Sequence, residues 1–482
     1  MRKNHALRLS ALLIGAAFAS QAYASGYHFG TQSVSAQGTA NASGAAAEDA
    51  STVFYNPAGL SYLKGTSVSG VLNIVLPSGD YRDRGSHTLA LPGIAPNGYS
   101  TGGGNGGDFV KPTAVPHAYM AHQVSDKLAF GFGLFVPFGS KTKYDDNWAG
   151  RYNVIETELK TIALNPSFSF KVSDGFKIGG GITAQHIEGK LKKAADFGTG
   201  AVGLLGGTLT APQLAQLAPL LAGNPAFSGN VKVKGDDWGF GWNLGMMFDV
   251  DPSFRVGLAY RSKIRHELAG HSDWTVPQTF GNLAQLGAAG AIVQAQLNAL
   301  YSDSGADLAV DTPESLSLSF HKQFTDRFAL MGDITRTGHA RFQELRIDFH
   351  NTLADSNTPE NWGDTTKVSL GGTYKMSDQL LLRAGFAYDN SPVNDGNRTP
   401  SIPDADRKWF SIGANWAMSK DSSLDVAYSY VHVGKPSINN YDNGGLANGA
   451  CDRLRNTSSC ATIIGEYDVK SSILGVQYNY RF

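Results

Sequence analysis

The chain ends in the sequence LGVQYNYRF, residues 474–482. Apolar and aromatic side chains occupy the even positions from 474 to 482, and Gly, Gln, Asn and Arg occupy the odd positions between them. Because successive side chains of a strand point to opposite faces, this period of two predicts a strand with one apolar and one polar face. The same period recurs in 254–260, 316–320 and 424–430.

The connections between these predicted strands alternate in length. Long segments, such as 189–237 and 268–313, alternate with tight turns rich in Asp and Ser, whose side chains hydrogen-bond the local backbone. The tight turns lie at Ser125-Asp126, Ser173-Asp174, Asp251-Pro252-Ser253, Thr325-Asp326, Ser377-Asp378 and Lys420-Asp421. Counting strands between the turns, over residues 67–482, gives fourteen. An even number of strands, with short turns at one end and long loops at the other, is typical of a bacterial outer-membrane barrel.

We therefore predict an all-β protein, a 14-stranded antiparallel transmembrane β-barrel, with a soluble all-β fold as the alternative. The composition is consistent with a membrane barrel, since only 17% of the 482 residues are charged. The hydrophobic fraction of 42% excludes intrinsic disorder. A formal net charge of -1 indicates no nucleic-acid partner. Outside the extreme N-terminus no 18-residue run is densely apolar, which argues against membrane-spanning helices.

Residues 1–24 have the pattern of a signal peptide. Basic residues precede an apolar core at 9–19, and Ala22-Tyr23-Ala24 supplies the small residues that signal peptidase requires. We predict cleavage before Ser25 and a location in the bacterial outer membrane, the alternative being an uncleaved anchor helix. In an oxidising compartment, Cys451 and Cys460 are predicted to form a disulfide within a loop. We expect no metal and no cofactor.

Residues 25–66, between the signal peptide and the barrel (67–482), are rich in Ala, Gly and Ser and show no strand alternation. A barrel of fourteen strands has a lumen wider than side chains alone fill, so we predict that this segment folds inside it as a hatch. A disordered periplasmic arm is the alternative.

Two of the long loops lack charged residues altogether. Neither 197–231 nor 274–302 contains Asp, Glu, Lys or Arg, although a loop in water is expected to be charged. Both contain apolar residues at helical spacing, and Pro212 is well placed to begin a helix. The spaced residues are Leu214, Leu217 and Leu221 in the first loop and Val293, Leu297, Leu300 and Tyr301 in the second. These stripes either contact an apolar ligand or pack on each other over the barrel mouth.

The sequence contains no G-x-S-x-G, H-E-x-x-H or P-loop motif, and we predict that the protein is not an enzyme. A general diffusion porin remains an alternative, and a barrel lipid hydrolase a weaker one.

The segment FYNPAGL at 54–60 resembles the Asn-Pro-Ala hatch motif of the long-chain fatty acid outer-membrane transporters, the FadL family. The segments WGFGWN (238–243) with YRS (260–262), and DNSP (389–392) continuing to Arg407, are similar to the family's barrel motifs in order and spacing. The resemblance covers essentially the whole mature chain.

This resemblance implies specific residue roles. Asn56, Pro57 and Ala58 match the hatch motif, and Tyr27 corresponds to an early aromatic residue that reaches into the substrate pocket. Asp364 and Arg407 match charged positions of the lumen, where each is equally consistent with a structural ion pair. Lys192 and Lys193 fall where the family binds the fatty acid carboxylate, the alternative being a solvated base of the loop. The family's second basic residue is absent near 358–361.

The resemblance also implies the function. We expect a monomer that takes up long-chain fatty acids or similar hydrophobic compounds passively and whose partners are these small molecules and outer-membrane lipid. In the family, extracellular loops three and four, here the two charge-free loops, capture the substrate, which passes to a lumen pocket. It then leaves sideways into the membrane through a kink in strand three. The missing basic residue leaves aromatic hydrocarbons open as substrates.

Overall fold

One antiparallel β-sheet forms the wall of the protein in the computed structural model, which describes residues 26–91, 93–282, 286–442 and 460–482. In chain order its strand segments are β1 Thr66–Asp83, β2 Thr113–Gln123, β3 Leu128–Phe135, β4 Gly139–Lys143, β5 Glu156–Ser173, β6 Phe176–Ala195, β7 Gly229–Asp251, β8 Phe254–Arg261, β9 Ile264–Thr275, β10 Ser304–Thr312, β11 Ser315–Gln323, β12 Phe328–Thr337, β13 Glu344–Phe349, β14 Ser356–Pro359, β15 Thr365–Lys375, β16 Leu380–Asp389, β17 Arg407–Ala417, β18 Ser422–Val433, β19 Ser437–Tyr441 and β20 Thr462–Arg481.

The twenty segments make fourteen spanning strands. Six spanning strands are interrupted and so count as two segments each, namely β3/β4, β8/β9, β10/β11, β12/β13, β14/β15 and β18/β19, and twenty less six is fourteen. The sheet closes because β1 pairs with β20 over its length, from Ser67 opposite Arg481 to Asp83 opposite Gly465. The predicted fourteen-stranded barrel is confirmed.

The two faces of the wall differ as the sequence predicts. In β20, Ile473 and Gln477 point inward and are fully buried, whereas Leu474, Val476 and Tyr478 point outward and are 44–48% exposed. The outward row is the surface that meets lipid, and each predicted tight turn joins two spanning strands at one end of the barrel. Among the described residues, no helix is both long and apolar enough to cross a membrane.

The predicted loop boundaries are wrong at the other end. The segments 189–237 and 268–313 were expected to be loop, but β6 continues to Ala195, β7 begins at Gly229, and β9 and β10 reach 275 and 304. A strand needs only about 9–11 residues to cross the bilayer, and β6 and β7 have 20 and 23. Their upper parts are polar because they stand in water above the membrane, so their composition is that of a loop.

The hatch lies inside the barrel. Its described part, residues 26–65, contains α1 Val34–Gln37, α2 Thr52–Tyr55 and a 3-10 helix, Pro57–Tyr62. Several apolar side chains of the hatch, such as Val53 and Leu60, are fully buried against the inner wall. The wall leaves space for the backbone of the hatch, because a Cβ on Gly385 would lie 2.2 Å from the carbonyl carbon of Thr39. The alternative of a periplasmic arm therefore does not hold.

Both charge-free loops fold into helices over the barrel mouth: α3 Phe197–Leu205, α4 Ala211–Leu221 and α5 Ala288–Leu300. Short 3-10 helices lie at Pro225–Phe227, Phe280–Asn282 and, in the wall, His339–Arg341. Leu214 and Leu221 share one buried cluster with Val293 and Leu297, so the two loops pack on each other. We call this unit the loop cap.

The predicted disulfide falls partly outside the described residues. Cys460 is disulfide-bonded, while Cys451, the only other cysteine of the chain, lies outside the described residues. The predicted signal peptide, 1–24, and its cleavage site before Ser25 also lie outside them, and both stay predictions.

Candidate functional site

The Asn-Pro-Ala motif fastens the hatch to the wall. The side-chain amide of Asn56 donates to the carbonyl oxygens of Met246 (3.0 Å) and Leu258 (3.2 Å), on neighbouring strands β7 and β8. Its Oδ1 accepts from the N–H of Ala58 at 3.1 Å and so caps the 3-10 helix that Pro57 begins. One side chain therefore joins hatch and wall and also starts the local fold of the hatch.

Small residues of the wall make this close contact possible. A Cβ on Gly245 would lie 2.1 Å from Asn56 Oδ1, and one on Gly179 would lie 2.5 Å from the backbone nitrogen of Ala58. Any larger side chain at these positions would displace the motif, which explains why glycine is required there.

Above the hatch is a cavity of about 790 Å³, including its mouth, which we call the apolar chamber. Its wall is mostly aliphatic and aromatic and lies beneath the loop cap. The apolar side chains that line it are Tyr27, Leu159, Leu191, Val233, Leu268, Ala306, Leu308, Val310, Phe342, Leu345, Ile347 and Ile402. A cavity of this size and lining suits a hydrophobic small molecule.

Tyr27 belongs to an aromatic layer at the edge of this chamber. Its ring centroid lies 5.4–5.9 Å from those of Phe138, His339, Phe342 and Trp362. Its hydroxyl donates to the carbonyl oxygen of Asp311 at 3.0 Å. The next residue, His28, lines a different cavity nearer the hatch. The aromatic layer therefore separates two chambers.

Charged residues hold the segment before Tyr27 in place. The backbone N–H of Gly26 donates to Asp404 Oδ2 at 3.0 Å. Asp404 is in direct contact with the guanidinium of Arg407. A carboxylate oxygen of Asp389 lies 4.0 Å from the same guanidinium. Arg407 is thus buried within the lumen, as the resemblance implies, and its side chain is 1% exposed.

The third spanning strand is broken where this N-terminal segment meets it. Residues 136–138 separate β3 from β4, and β4 pairs with β5 but, in the described residues, not with β2. The N-terminal segment bonds to the break instead, with Phe29 N–H donating to Pro137 (2.8 Å) and Gly139 N–H donating to Tyr27 (2.8 Å). An interruption in the wall is thus covered from inside by three residues of the hatch.

The second cavity, which we call the polar chamber, lies between the hatch and the wall and has a volume of about 890 Å³ with its mouth. Phe54, Tyr55 and Pro57 line its hatch side. Hydroxyl and charged side chains of the wall line the rest, including Arg261, Ser315, Ser317, Asp333, Thr335, Thr337, Thr365, Lys367, Ser369 and Asp389.

The predicted carboxylate-binding lysines lie elsewhere. Lys192 and Lys193 belong to β6, not to a loop, and neither lines the apolar chamber. The ammonium of Lys192 contacts Asp146 at 2.7 Å, and that of Lys193 contacts Asp442 at 3.3 Å in a buried pair. Both positive charges are therefore already balanced, and their role with a substrate stays a prediction.

Asp364 is not in the lumen. It accepts from Arg336, at 3.0 Å, and that arginine points outward from β12 with 62% of its side chain exposed. The sequence did not single out Asp404, the direct partner of Arg407, although Asp404 lies only three positions before Arg407 in the segment 389–407. The carboxylate of Asp404 was visible in the sequence, but its ion pair with Arg407 depends on how the loop between them folds.

The remaining predicted substrate contacts form the interior of the loop cap. Leu214, Val293 and Leu297 are buried in its cluster, with Leu217 and Leu300 partly buried beside them, and none lines the apolar chamber.

The cap is stiffened at Asp196, which accepts from the N–H (3.0 Å) and hydroxyl (2.6 Å) of Thr199 and from the N–H of Gly223 at 3.3 Å. Burial raises the pKa of Asp196, and these hydrogen bonds oppose the shift. Among the described residues, no cluster of His, Cys, Asp and Glu is arranged to hold a metal.

The comparison with protein families decides the identity. Residues 15–482 match the family of outer membrane protein transport proteins, OMPP1/FadL/TodX. The chain belongs to this family. The FadL/TodX assignment makes it an outer-membrane protein that transports hydrophobic compounds, and it confirms that the chain is not an enzyme.

Named relatives span nearly the full chain. A Neisseria meningitidis serogroup B protein named as an outer membrane protein is 38% identical, with 99% of both chains covered. The long-chain fatty acid transport protein of Escherichia coli strain K12 is 30% identical over 89% of this chain and 93% of its own.

Solved structures of the family agree with the fold. A FadL homologue from Pseudomonas aeruginosa is 27% identical, with a TM-score of 0.78 over 95% of this chain and 100% of that one. The Pseudomonas putida toluene transporter shares the fold at a TM-score of 0.61 and 19% identity, covering 90% of this chain and 94% of its own.

The hatch contact yields a test in this FadL/TodX protein. We expect Gly245→Ala to displace the hatch, because the new Cβ would lie 2.1 Å from Asn56 Oδ1. Single-channel recording in planar bilayers should then show a conductance severalfold above that of the unmodified protein. Gly70→Ala is the matched control, since a Cβ there meets nothing within 4 Å. Equal conductance for both variants, with both barrels folded, would contradict the role of the motif.

Proposed function

We propose that the protein carries long-chain fatty acids or related hydrophobic compounds passively across the outer membrane, by capture at the loop cap, storage in the apolar chamber and release through the wall. The observation that carries the proposal is an apolar chamber enclosed between a charge-free cap and a hatch that fills the lumen. A general diffusion porin is disfavoured because residues 26–65 occupy the space that its aqueous channel would need.

No energy source is required for this route. Moving an alkyl chain from water into an apolar environment releases about 0.8 kcal/mol per CH₂. The chamber and the membrane both offer such an environment, so the protein only needs to supply a path past the polar surface of the outer membrane. Relatives named for fatty acid transport and for toluene transport support both substrate types.

Capture begins at the outer surface of the loop cap. Its interior leucines are packed, but Leu220 on α4 and Ile292 on α5 are 56% and 58% exposed. Exposed aliphatic side chains on loops without charges are suited to a first, weak contact with an alkyl chain. The packed stripe around Leu297 then acts as the body of the cap, while these two residues act as its contact surface.

Release sideways is supported by the break between β3 and β4. In the bilayer an unpaired backbone group is costly, so a broken strand in the wall needs a covering segment. Residues 27–29 provide that cover and also border the apolar chamber at Tyr27. Displacement of these residues would open the floor of the chamber and uncover the break in a single movement.

The chamber is tested at Leu308, which lines it from β10. We expect Leu308→Asp to lower uptake of a radiolabelled long-chain fatty acid about tenfold or more, because a carboxylate is costly to bury against an alkyl chain. Leu308→Met keeps an apolar side chain of similar volume and should transport normally. Equal uptake by the two variants at equal surface expression would rule out the apolar chamber as the substrate site.

Capture is tested on the exposed cap residues. Replacing Leu220 and Ile292 together by Asp should lower uptake by intact cells at low substrate concentration, and both side chains are exposed enough to be changed without disturbing the cluster beneath. The double Met variant is the control. Binding to the purified protein should change little, since the chamber is unaltered. Undiminished uptake by the Asp variant would remove the cap from the pathway.

A further inference from the structure

The polar chamber has two chemically different sides. Its hatch side presents the rings of Phe54, Tyr55 and Pro57 beside the polar side chains of His28 and Asn41, whereas the facing wall presents Lys367 of β15 among hydroxyl groups. A chamber with an apolar side and a cationic side suits a molecule that is itself divided into an alkyl part and an anionic part.

Lys367 differs from the other lysines near the lumen. Within the described residues, no carboxylate lies within salt-bridge distance of its ammonium, which instead lies 4.4 Å from the centroid of the Trp409 ring. By contrast, Lys190, which lines the apolar chamber, contacts Glu156 at 2.8 Å. The positive charge of Lys367 is therefore not balanced by direct contact with an acidic side chain.

Other donors of the polar chamber also lack acceptors. The indole N–H of Trp409 and the side-chain amide nitrogen of Asn243 are buried and find no hydrogen-bond acceptor among the described residues. Arg261 adds a second cation, whose guanidinium donates to the carbonyl oxygen of Phe54 (3.1 Å) and the hydroxyl of Thr183 (3.3 Å). The chamber thus has two buried donors without a described acceptor, beside the cations of Lys367 and Arg261, and this combination favours an anionic ligand.

Two carboxylates also line the chamber, and they differ. Asp389 lies 4.0 Å from the guanidinium of Arg407, which reduces its effect on a neighbouring anion. Asp333 accepts from the hydroxyl of Thr335 at 2.6 Å and, in the part of the chain that is described, has no cation within salt-bridge distance. The negative charge of Asp333 therefore repels an anion bound at Lys367. Removing that charge should strengthen anion binding, the opposite of the effect of removing Lys367.

We propose that the polar chamber binds the carboxylate head of a long-chain amphiphile at Lys367, with the alkyl chain against Phe54, Tyr55 and Pro57. The proposal rests on the proposed function and narrows its substrate class to anionic amphiphiles rather than uncharged hydrocarbons. It also places the head group near the hatch, away from Lys192 and Lys193, whose charges are already paired.

The test compares decanoate with 1-decanol, which share an alkyl chain and differ in charge. Isothermal titration of the purified full-length protein in amphipol would measure both affinities. We expect Lys367→Met to weaken decanoate binding about tenfold, as loss of a charge-assisted hydrogen bond predicts, and to change decanol binding less than twofold. Lys375→Met removes a charge from the same strand at its tight-turn end, beside Asp378, and should change neither affinity.

Two further variants keep the test decisive. Asp333→Asn should strengthen decanoate binding severalfold, and Lys367→Arg should preserve it. The proposal is overturned if Lys367→Met leaves decanoate binding unchanged, if it weakens both ligands alike, or if Asp333→Asn weakens decanoate binding. Failure of the unmodified protein to bind either ligand would instead reject the proposed function. Binding of both ligands, with no dependence on Lys367, would reject only this inference.

Discussion

The rest of the structure depends on one constraint, which is that a backbone placed in lipid must pair all its polar groups. The wall meets this constraint by closing β1 on β20, so that the sheet has no free edge. Fourteen strands, however, enclose a lumen too wide for side chains to fill. The hatch fills this space. At wall positions such as Gly245 and Gly385, atoms of the hatch occupy the space that a side chain of the wall would otherwise take.

The same constraint explains why the N-terminal segment is positioned as it is. The break between β3 and β4 is a point where the third spanning strand leaves backbone groups without strand partners, and Phe29 and Gly139 take part in the hydrogen bonds that satisfy some of them. These bonds connect the break to Tyr27 and, through Gly26, to Asp404 and its partner Arg407. The apolar chamber, the hatch and the break in the wall therefore meet in one short stretch of chain.

Much of the fold was accessible from the sequence because it depends on local patterns. Three patterns involve residues that are close together in the sequence, and each appears in the structure: the alternation in 474–482, the Asp and Ser turns, and the helical spacing around Leu297. The features that were missed depend on residues far apart in sequence. The pairs Lys192 with Asp146 and Lys193 with Asp442 join different loops and strands, and composition cannot distinguish a strand above the membrane from a loop. The position of Lys367 over the Trp409 ring, with no carboxylate within salt-bridge distance among the described residues, is likewise visible only in the structure.

The central claim is that substrate leaves only when residues 27–29 move away from the break in the third spanning strand. His28 and Phe138 are partners in an antiparallel β-bridge at this point, so cysteines there are placed to form a disulfide. The direct measurement is fatty acid uptake by the His28→Cys, Phe138→Cys double variant, before and after reduction, with each single variant as control. The account predicts background uptake when the cross-link is formed and recovery on reduction. Normal uptake by the cross-linked protein would contradict it.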